Sequence, residues 1–514
     1  MQEERYIATA DLGSGKIALG VAKVTGNDVQ IIYYREIPSD GIRYSCVFNP
    51  MKASRPLVAA IKDAEEELRI SIRQLVVGLP RYNVAQEVRT AKLERVNPSS
   101  CITAEEIHML KMMAMDNYPL ENPEKREIYG AVVQSFNADD LIQQSERDIE
   151  GATAEAIEGN YKIFIGARKP SDNIDVMLNN AGVALACKIF VPDAVAGAVL
   201  SEEEKENGVA LVEMGAGVTS LAIYQGGVMR HYSSIPFGGW SITNDVKHEC
   251  GFSEKLAENI KLAYGACLPE KLSSLGEKII RVNDDENGTY QDLPAKYLSD
   301  IITCRAREII DAILFRIQEC GFAERLRSGI VLTGGCAALP NLATMVKEMA
   351  GYNVRIGYPR TRNFISTGCI GLGETGAVGT VGLILTARRD PNLNCTTAPA
   401  PEPEPEPVYE EEEEYCEEPE PIEEVDNYTG TILDPDRKES QEEKALRKQE
   451  DKLRKEAERK AREEQKARER AEREARKAGQ PVKPKITWDI KSRISNVVNN
   501  AFDNTLGSLF DDMG

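Results

Sequence analysis

The chain has 514 residues and a formal net charge of −20, with 42% hydrophobic and 28% charged residues. This length exceeds one compact core, so we expect two or more domains, and the acidic balance disfavours a nucleic-acid-binding surface. Eleven cysteines without CxxC pairs are typical of reduced cytosolic thiols, and three dispersed histidines disfavour a histidine-based metal site.

Two short apolar strands each end on a carboxylate and then turn through two glycines. The first, residues 6–10, precedes DLGSGK, and the second, residues 209–212, precedes EMGAGVTS. Glycine lets backbone N–H groups approach a phosphate, and a carboxylate at the strand end can hold a hydrated Mg²⁺. Two such hairpins face to face would clamp a nucleoside triphosphate and indicate two similar lobes. The candidate ligands are Asp11, Gly13, Ser14, Gly15 and Lys16, then Glu213, Gly215, Ala216, Gly217 and Val218, with Asp11 and Glu213 as metal ligands.

Either turn alone is more often an ordinary hairpin than a phosphate site. A P-loop is excluded because Ala10 stands where that motif needs glycine and Ile17 follows Lys16 in place of a hydroxyl residue. A Rossmann turn is excluded because no third glycine opens a helix after either hairpin.

Two further glycine pairs follow in the second half of the chain. Gly238 and Gly239 precede a helical stretch that carries Glu258 and Lys261, three residues apart on one helix face. That pair could bond to a ribose and an adenine edge; alternatively, it is an exposed ion pair of the helix. Residues 329–340 are typical of a buried strand, a tight turn and a helix start, which would lay backbone against a flat nucleoside. The residues of that turn are Gly334, Gly335 and Cys336.

In this order the features resemble the actin–hexokinase–chaperone ATPase superfamily, and most of all the FtsA family of bacterial cell-division proteins, over about residues 5–387. The segments that carry the resemblance are YIATADLGSGKIALGVAKV, GVALVEMGAGVTSLAIYQGGVMRHYSSIPFGG, EKLAENIKLAYGACLP and GIVLTGGCAALPNL. The resemblance implies ATP and Mg²⁺ as cofactors. It places the phosphates on the two hairpins, adenosine on the turn at Gly334, and the ribose and adenine on Glu258 and Lys261.

The resemblance also implies an α/β, two-lobed actin-like ATPase fold with an inserted 1C-type subdomain. Its expected parts are lobe 1 (subdomain 1A) at residues 1–82, 162–200 and 371–387, insert 1C at 83–161, lobe 2 (subdomain 2A) at 201–239 and 326–370, and subdomain 2B at 240–325. Within the insert we expect a helix over 103–117, opened by a capping box at Thr103, and a strand over 127–136. Residues 161–167 should then return to the core, and 371–387 should form the closing helix of lobe 1.

Several residues depart from the family pattern. The changes in the second hairpin are Glu213 for a usual Asp, Ala216 for a glycine and Ser220 for a frequent Asp. Val191 precedes Pro192 where related ATPases carry an acid that orients water, and Asp193 lies on the other side of the proline. Because a carboxylate must reach the water that it orients, we expect ATP binding with weak or negligible turnover.

Composition changes after the expected fold ends. Residues 401–440 hold 17 acids and 2 bases with Pro-Glu repeats, so we expect residues 388–440 to form a disordered linker. Residues 441–480 hold 15 bases and 11 acids with almost no apolar heptad positions. That pattern is typical of a solvated single helix and disfavours both a coiled coil and a nucleic-acid-binding arm.

Residues 485–512 carry an apolar stripe at three- and four-residue spacing, typical of an amphipathic helix. The stripe consists of Trp488, Ile490, Ile494, Val497, Val498, Ala501, Phe502, Leu506, Leu509 and Phe510. Such a helix could lie in the membrane interface or dock into a protein groove. The family resemblance favours a membrane-targeting helix, whereas Asp503, Asp511 and Asp512 weaken attraction to anionic lipid. No stretch approaches the roughly 18 apolar residues of a membrane span.

The resemblance implies an ATP-binding protein that polymerises with itself on the cytoplasmic face of the inner membrane, at the division site. There it would anchor the FtsZ ring and contact later division proteins. A small-molecule kinase of the same fold stays open, although it would need an acid aimed at a substrate hydroxyl. A pilus-assembly-type adaptor also stays open, although such relatives usually lack the long tail. A chaperone is disfavoured because no substrate-binding β-domain follows residue 387.

Overall fold

The computed structural model describes residues 4–271, 278–284, 289–366 and 368–397. The predicted linker beyond residue 397, the charged helix at 441–480 and the amphipathic helix at 485–512 lie outside the described residues, together with the predicted membrane-binding side chains. Among the helices of the described part, none has both the length and the apolar character needed to cross a membrane.

The strands alternate with helices along the chain, as the sequence predicts for an α/β fold. The strands of the first half are β1 Arg5–Leu12, β2 Lys16–Thr25, β3 Asp28–Pro38, β4 Ile42–Arg43, β5 Cys46–Val47, β6 Ser71–Ile72, β7 Gln74–Gly78, β8 Ala85–Glu94, β9 Arg126–Ala138, β10 Leu141–Gln144, β11 Ala156–Ala167 and β12 Ala184–Ile189. Those of the second half are β13 Val209–Met214, β14 Thr219–Gln225, β15 Val228–Ile235, β16 Ile279–Asp284, β17 Thr289–Pro294, β18 Ile330–Thr333, β19 Val354–Ile356, β20 Ile365–Ser366 and β21 Thr396–Thr397.

The helices cover the faces of the sheets and form most of the segment after β15. They are α1 Pro50–Leu68, α2 Ala104–Asp116, α3 Glu146–Ile149, α4 Arg168–Ala181, α5 Val191–Val199, α6 Glu202–Asn207, α7 Gly239–Cys250, α8 Glu254–Tyr264, α9 Ala295–Glu319, α10 Leu342–Ala350 and α11 Val378–Ala387.

The first lobe is built on a six-stranded sheet with the order β12-β7-β1-β2-β3-β20. Strand β1 pairs antiparallel with β2, with Asp11 opposite Ala18, and parallel with β7. The turn between β1 and β2 is therefore the first predicted phosphate hairpin, at residues 13–15.

The second lobe repeats this arrangement in a five-stranded sheet with the order β15-β14-β13-β18-β19. Strand β13 pairs antiparallel with β14, with Glu213 opposite Ser220, and parallel with β18, with Glu213 beside Thr333. Each lobe thus has a central strand with a hairpin partner on one side and a parallel neighbour on the other. This confirms the two similar lobes predicted from the internal repeat.

Three helices of the second lobe, α7, α8 and α9, pack against its sheet through apolar side chains. The shared core includes Ile242, Ile260 and Ile302 from the helices and Val212 and Leu332 from the strands. This packing holds the helix that carries Glu258 and Lys261 against the sheet that carries Glu213.

The inserted segment forms a separate antiparallel sheet with the order β10-β9-β11-β8 and its own apolar core. The capping box is confirmed, since the Thr103 side chain accepts from the N–H of Glu106 and the Glu106 side chain accepts from the N–H of Thr103. The predicted end of the insert at residue 161 is wrong. Strand β11 stays in this sheet as far as Ala167, because β9 runs beside it and supplies backbone partners down to Arg126.

Two expectations about the end of the first lobe need correction. Its closing helix begins at Val378 and not at residue 371, because a turn and a short 3-10 helix precede it. The linker does not begin at residue 388, since residues 388–397 return to the first lobe. Cys395 is buried and its N–H donates to the carbonyl of Tyr6 over 2.7 Å, while β21 pairs with β6.

Candidate functional site

Both glycine turns face one cavity of about 970 Å³ between the lobes. All but one of the predicted ligand residues line it, namely Asp11, Gly13, Ser14, Gly15, Lys16, Glu213, Gly215, Ala216, Gly217, Val218, Gly239, Glu258, Lys261, Gly334, Gly335 and Cys336. Gly238 lies behind the second turn, where a Cβ on it would come within 2.4 Å of the Gly215 carbonyl oxygen. The fold therefore brings four distant segments to one cavity, and the roles of their residues as ligands stay predictions.

The tips of the two turns touch each other. A Cβ on Gly15 would be 2.9 Å from the Cβ of Ala216, so a side chain at position 15 would push the turns apart. The first turn is also held from behind, because the Ser14 Oγ accepts the N–H of Ser45 over 2.8 Å and the Ser14 carbonyl accepts the hydroxyl of Ser39. These contacts fix the first turn against Ser39, directly after β3, and against Ser45, in the turn between β4 and β5.

The turn between β4 and β5 consists of Tyr44 and Ser45, which are both in the left-handed backbone region, with φ of 51° and 58°. Positive φ at both central residues is the geometry of a type I′ turn, which commonly joins two antiparallel strands through two residues. Hydrogen bonds hold Ser45 there: its Oγ donates to the Leu12 carbonyl over 3.4 Å and accepts from Arg81 over 3.2 Å. Ser45 also lines the cavity, so this turn is part of the site, a role that no sequence pattern predicted.

The carboxylates of Asp11 and Glu213 both contact Arg81, a residue that was not predicted from the sequence. The Arg81 Nη2 lies 2.7 Å from the Asp11 Oδ1, and its Nε lies 3.3 Å from the Glu213 Oε2. Arg81 follows β7, which is parallel to β1, so the two strands end at the same edge of the sheet. A cation directly after the apolar stretch LVVGLP, residues 75–80, was the signal that could have found it.

These three side chains form a nearly buried ionic group, with 9% of Arg81 and 13% each of Asp11 and Glu213 exposed. Burial lowers the pKa of Arg81, but Asp11 and Glu213 together outweigh burial and raise that pKa above its usual value. Burial raises the pKa of Glu213, and the charge of Arg81 offsets this only in part. The guanidinium is therefore a permanent positive charge between the two turns.

The two predicted metal ligands do not fit a resident Mg²⁺ in this arrangement. Mg²⁺ usually binds one or two carboxylates together with waters and phosphates, but here a guanidinium is paired with both carboxylates. A divalent cation at Asp11 and Glu213 would require Arg81 to move.

Lys16 lines the edge of the cavity and is paired with Glu36, which also accepts the hydroxyl of Tyr34. One third of the Lys16 side chain is exposed (33%). Because its partner Glu36 is also about one third exposed (36%), the Lys16 ammonium group can turn to an anionic ligand in the cavity without leaving a buried pair.

Glu258 and Lys261 form an ion pair, but not the exposed one that was the alternative prediction. The Lys261 Nζ lies 2.7 Å from the Glu258 Oε2 and also donates to the Thr243 Oγ1 over 2.9 Å and to the Gly239 carbonyl over 3.1 Å. Only 9% of the Lys261 side chain is exposed. The pair is a fixed part of the cavity wall and joins α8 to the first turn of α7.

The turn after β18 places Gly334 against the second hairpin and brings Gly335 and Cys336 to the cavity wall. Gly334 has a φ of 86°, and a Cβ on it would come within 2.6 Å of the Met214 carbonyl oxygen. A Cβ on Gly335 would meet no atom within 4 Å, so this position opens on the cavity. Burial raises the pKa of the Cys336 thiol, which disfavours a nucleophilic role.

The two residues beside Pro192 lie away from the cavity, as their sequence positions suggest. Val191 is fully buried against Gly78, where a Cβ would be 2.5 Å from the Val191 Cγ2. The Asp193 carboxylate accepts the hydroxyl of Tyr224 over 3.1 Å. Neither side chain lines the cavity.

Two α/β lobes with matching hairpins on either side of a cleft define an actin-like ATPase fold, as predicted. A solved structure titled "PilM-PilN type IV pilus biogenesis complex" matches with a TM-score of 0.50 and 16% identity, covering 74% of this chain and 98% of that chain. At this identity the match shows the fold alone.

Sequence comparison gives the family. The profile described as "Cell division protein FtsA" matches residues 210–371. The cell division protein FtsA of Borreliella burgdorferi is 30% identical over 361 residues, which are 70% of this chain and 86% of that protein. The corresponding protein of Neisseria meningitidis serogroup B is 28% identical over 367 residues, 71% of this chain and 86% of that protein. The chain belongs to the FtsA family, which confirms the resemblance.

Proposed function

We propose that this chain is an actin-like cell-division protein that binds ATP in the cleft between its lobes. One observation carries the proposal: two glycine turns from different sheets touch at their tips, beside Gly335 and the Glu258–Lys261 pair, in one cavity. Backbone N–H groups in glycine turns suit phosphate oxygens, and the open space beside Gly335 suits a flat nucleoside. Membership of a cell-division family supports the cellular role.

In this proposal ATP bridges the lobes and favours the conformation in which they are closed. A ligand shifts such an equilibrium only if it binds one state more tightly, and ATP contacts turns from both lobes only when they face each other. The closed state then polymerises with further copies on the cytoplasmic face of the inner membrane at the division site. The polymer anchors FtsZ, and the inserted sheet contacts neighbouring copies and later division proteins.

Membrane attachment in this proposal depends on the amphipathic segment at residues 485–512. A single interfacial helix binds lipid weakly, but a polymer presents many at once, and multivalency can strengthen attachment about a hundredfold or more. The acidic segment before it would act as a spacer between the folded part and the lipid.

ATP turnover in this proposal is weak or negligible. Neither Val191 nor Asp193 reaches the cavity, so the start of α5 supplies no carboxylate to orient water. The same observation gives no support to a small-molecule kinase, which would need an acid aimed at a substrate hydroxyl. A steady turnover near about 10 s⁻¹, the median of ordinary enzymes, would contradict this part of the proposal.

The experiment is co-sedimentation of the full chain with liposomes that contain anionic lipid, with and without ATP. The matched control carries Phe502→Asp and Leu506→Asp, which should abolish lipid binding while ATP binding persists. ATP-enhanced pelleting of the unaltered chain alone would support the proposal, and FtsZ added to the same assay should pellet with it. Equal pelleting of both chains would show that the segment at residues 485–512 does not anchor the chain to lipid. If FtsZ does not pellet with the unaltered chain, the proposed link to FtsZ is contradicted.

A further inference from the structure

The side chain of Arg81 joins the two lobes at the point where their glycine turns meet. Its Nη2 bonds to Asp11 of the first lobe, and its Nε faces Glu213 of the second lobe at 3.3 Å. Its Nη1 donates to Ser45 over 3.2 Å, and its backbone carbonyl accepts the hydroxyl of Tyr232. Residues from several parts of the chain therefore fix this side chain in place.

The surrounding packing leaves little freedom for the Asp11–Arg81 pair. A Cβ on Gly379, in the first turn of α11, would lie 1.9 Å from the Asp11 Oδ2 and 3.0 Å from the Arg81 Nη2. The Asp11–Arg81 pair therefore packs directly against the backbone of α11 at Gly379, where a larger residue would clash with it. Such close packing is typical of a built site and not of an incidental surface ion pair.

The chain itself supplies a cation at the point where a metal ion would lie between the two carboxylates. Two carboxylates from opposing lobes share one cation, and that cation is a guanidinium supplied by the chain. A divalent ion at the same carboxylates would meet a fixed positive charge, and like charges at short range disfavour each other strongly in a buried site.

Arg81 also has bonding capacity left for a ligand. A guanidinium carries five N–H donors in a planar fork. The Nη2 uses one on Asp11 and the Nη1 uses one on Ser45, while the buried Nε faces Glu213, so the capacity left for a ligand is the second N–H of each Nη. Arg81 lines the cavity beside both turns. Arginine suits phosphate oxygens because its donors match their geometry.

We propose that Arg81 is the resident cation of this site: it takes the place of a divalent metal at Asp11 and Glu213 and contacts the phosphates of the bound nucleotide. The contact to phosphate rests on the proposed nucleotide function, whereas the replacement of the metal does not. ATP affinity should then depend little on Mg²⁺, and Mn²⁺ alone should find no site at these carboxylates.

The first test compares ATP affinity of the full chain in excess Mg²⁺ and in EDTA, by calorimetry. The proposal predicts that the affinity changes by less than about threefold, and that Arg81→Met lowers it in EDTA by about tenfold or more, with partial recovery in Mg²⁺. Arg81→Lys keeps the charge and should keep the metal independence. A fall of about tenfold in EDTA for the unaltered chain would overturn the proposal while leaving nucleotide binding in place.

The second test needs no nucleotide and measures Mn²⁺ binding by electron paramagnetic resonance. The acidic tail is common to all variants, so differences between them report on the cleft. The Arg81→Met variant should bind one more Mn²⁺ ion than the unaltered chain, and adding Glu213→Gln to that variant should abolish this extra site. Glu213→Gln alone should leave the number of bound Mn²⁺ ions unchanged. If the extra Mn²⁺ site appears but ATP binds under no condition, the replacement of the metal by Arg81 is supported and the proposed nucleotide function is contradicted.

A Mn²⁺ site in the unaltered chain that Glu213→Gln abolishes would overturn the assignment of Arg81. Arg81→Met leaves two buried carboxylates unpaired and could therefore fail to fold. In that case the ATP affinities of the unaltered chain in Mg²⁺ and EDTA, and its Mn²⁺ binding, still test the proposal.

Discussion

Ser14 and Gly217 lie in contact across the cleft: a Cβ on Gly217 would be 2.8 Å from the Oγ of Ser14. The two residues belong to different lobes, and each lies in a glycine turn. The Ser14 Oγ is already engaged, because it accepts the N–H of Ser45. A side chain at position 217 therefore cannot be accommodated by rotating Ser14 without losing that hydrogen bond.

The first prediction concerns this contact. Gly217→Ala should lower ATP affinity by about five- to tenfold, because the turns must separate or Ser14 must give up its bond to Ser45. The matched control is Gly197→Ala in α5, where a Cβ would meet nothing within 4 Å. Calorimetry on both variants checks this, and equal affinities would show that the contact has no part in binding.

The second prediction concerns stability at the turn after β18. Gly334→Ala should lower the free energy of unfolding by more than about 1 kcal/mol, because Gly334 has a φ of 86° and the Met214 carbonyl oxygen lies 2.6 Å from the added Cβ. Gly335→Ala, one position on, should leave stability nearly unchanged. Urea denaturation of the two variants tests the difference; similar losses would mean that the turn tolerates a side chain at both positions.

The third prediction concerns the ion pair of buried Lys261 and partly exposed Glu258 in the cavity wall. Lys261→Met should destabilise the fold by roughly 1–3 kcal/mol, because the Gly239 carbonyl loses its Lys261 donor and Glu258 loses its cation. Adding Glu258→Gln should recover part of this loss, since the second substitution removes the unpaired charge. Urea denaturation of the single and double variants gives the coupling; strictly additive losses would argue against a shared network.

The fourth prediction concerns pH and His231, on β15. Its Nδ1 lies 2.9 Å from the Gln86 amide nitrogen, and its Nε2 is buried without a hydrogen-bond partner in the described structure. Burial, helped by the charges of Lys162 and Arg316, lowers the pKa of His231 from 6.5 to about 4. The folded chain therefore keeps this ring neutral where the unfolded chain binds a proton.

Because the unfolded state binds the proton first, the contribution of His231 to stability falls as pH drops from 6.5 to about 4. His231→Gln keeps a neutral partner for Gln86 and removes this dependence. Urea denaturation at several pH values between about 7 and 4.5 should show the variant gaining relative to the unaltered chain as pH falls. A difference that stays constant with pH would contradict the assignment.

The parts of the site that could be predicted are those written in short stretches of sequence. An acid followed by two glycines defines each hairpin locally, and the capping box at Thr103 needs only four residues. Arg81 was missed because its role depends on Asp11, 70 positions earlier, and on a strand of the other lobe. Ser45 was missed because its place in the site depends on hydrogen bonds to Ser14 and Leu12, more than 30 positions earlier, which no local pattern reveals.

The same reasoning explains the errors in element boundaries. Residues 388–397 resemble a linker in composition, yet the N–H of Cys395 finds the carbonyl of Tyr6 at the far end of the chain. The insert was predicted to end at residue 161 with 161–167 in the core, but β11 pairs with β9 as far as Ala167 and so stays in the inserted sheet. Pairing between distant strands decided both outcomes, and it leaves no periodic signal in either segment.

The most direct test of the nucleotide cleft is an ATP titration of the full chain beside Gly335→Trp, by calorimetry. The indole would extend into the cavity, since a Cβ at this position meets no atom within 4 Å. Saturable binding by the unaltered chain, weakened about tenfold or more in a variant with an unchanged unfolding temperature, is the predicted result. Equal affinities in two folded proteins, or no binding by the unaltered chain, would contradict the account.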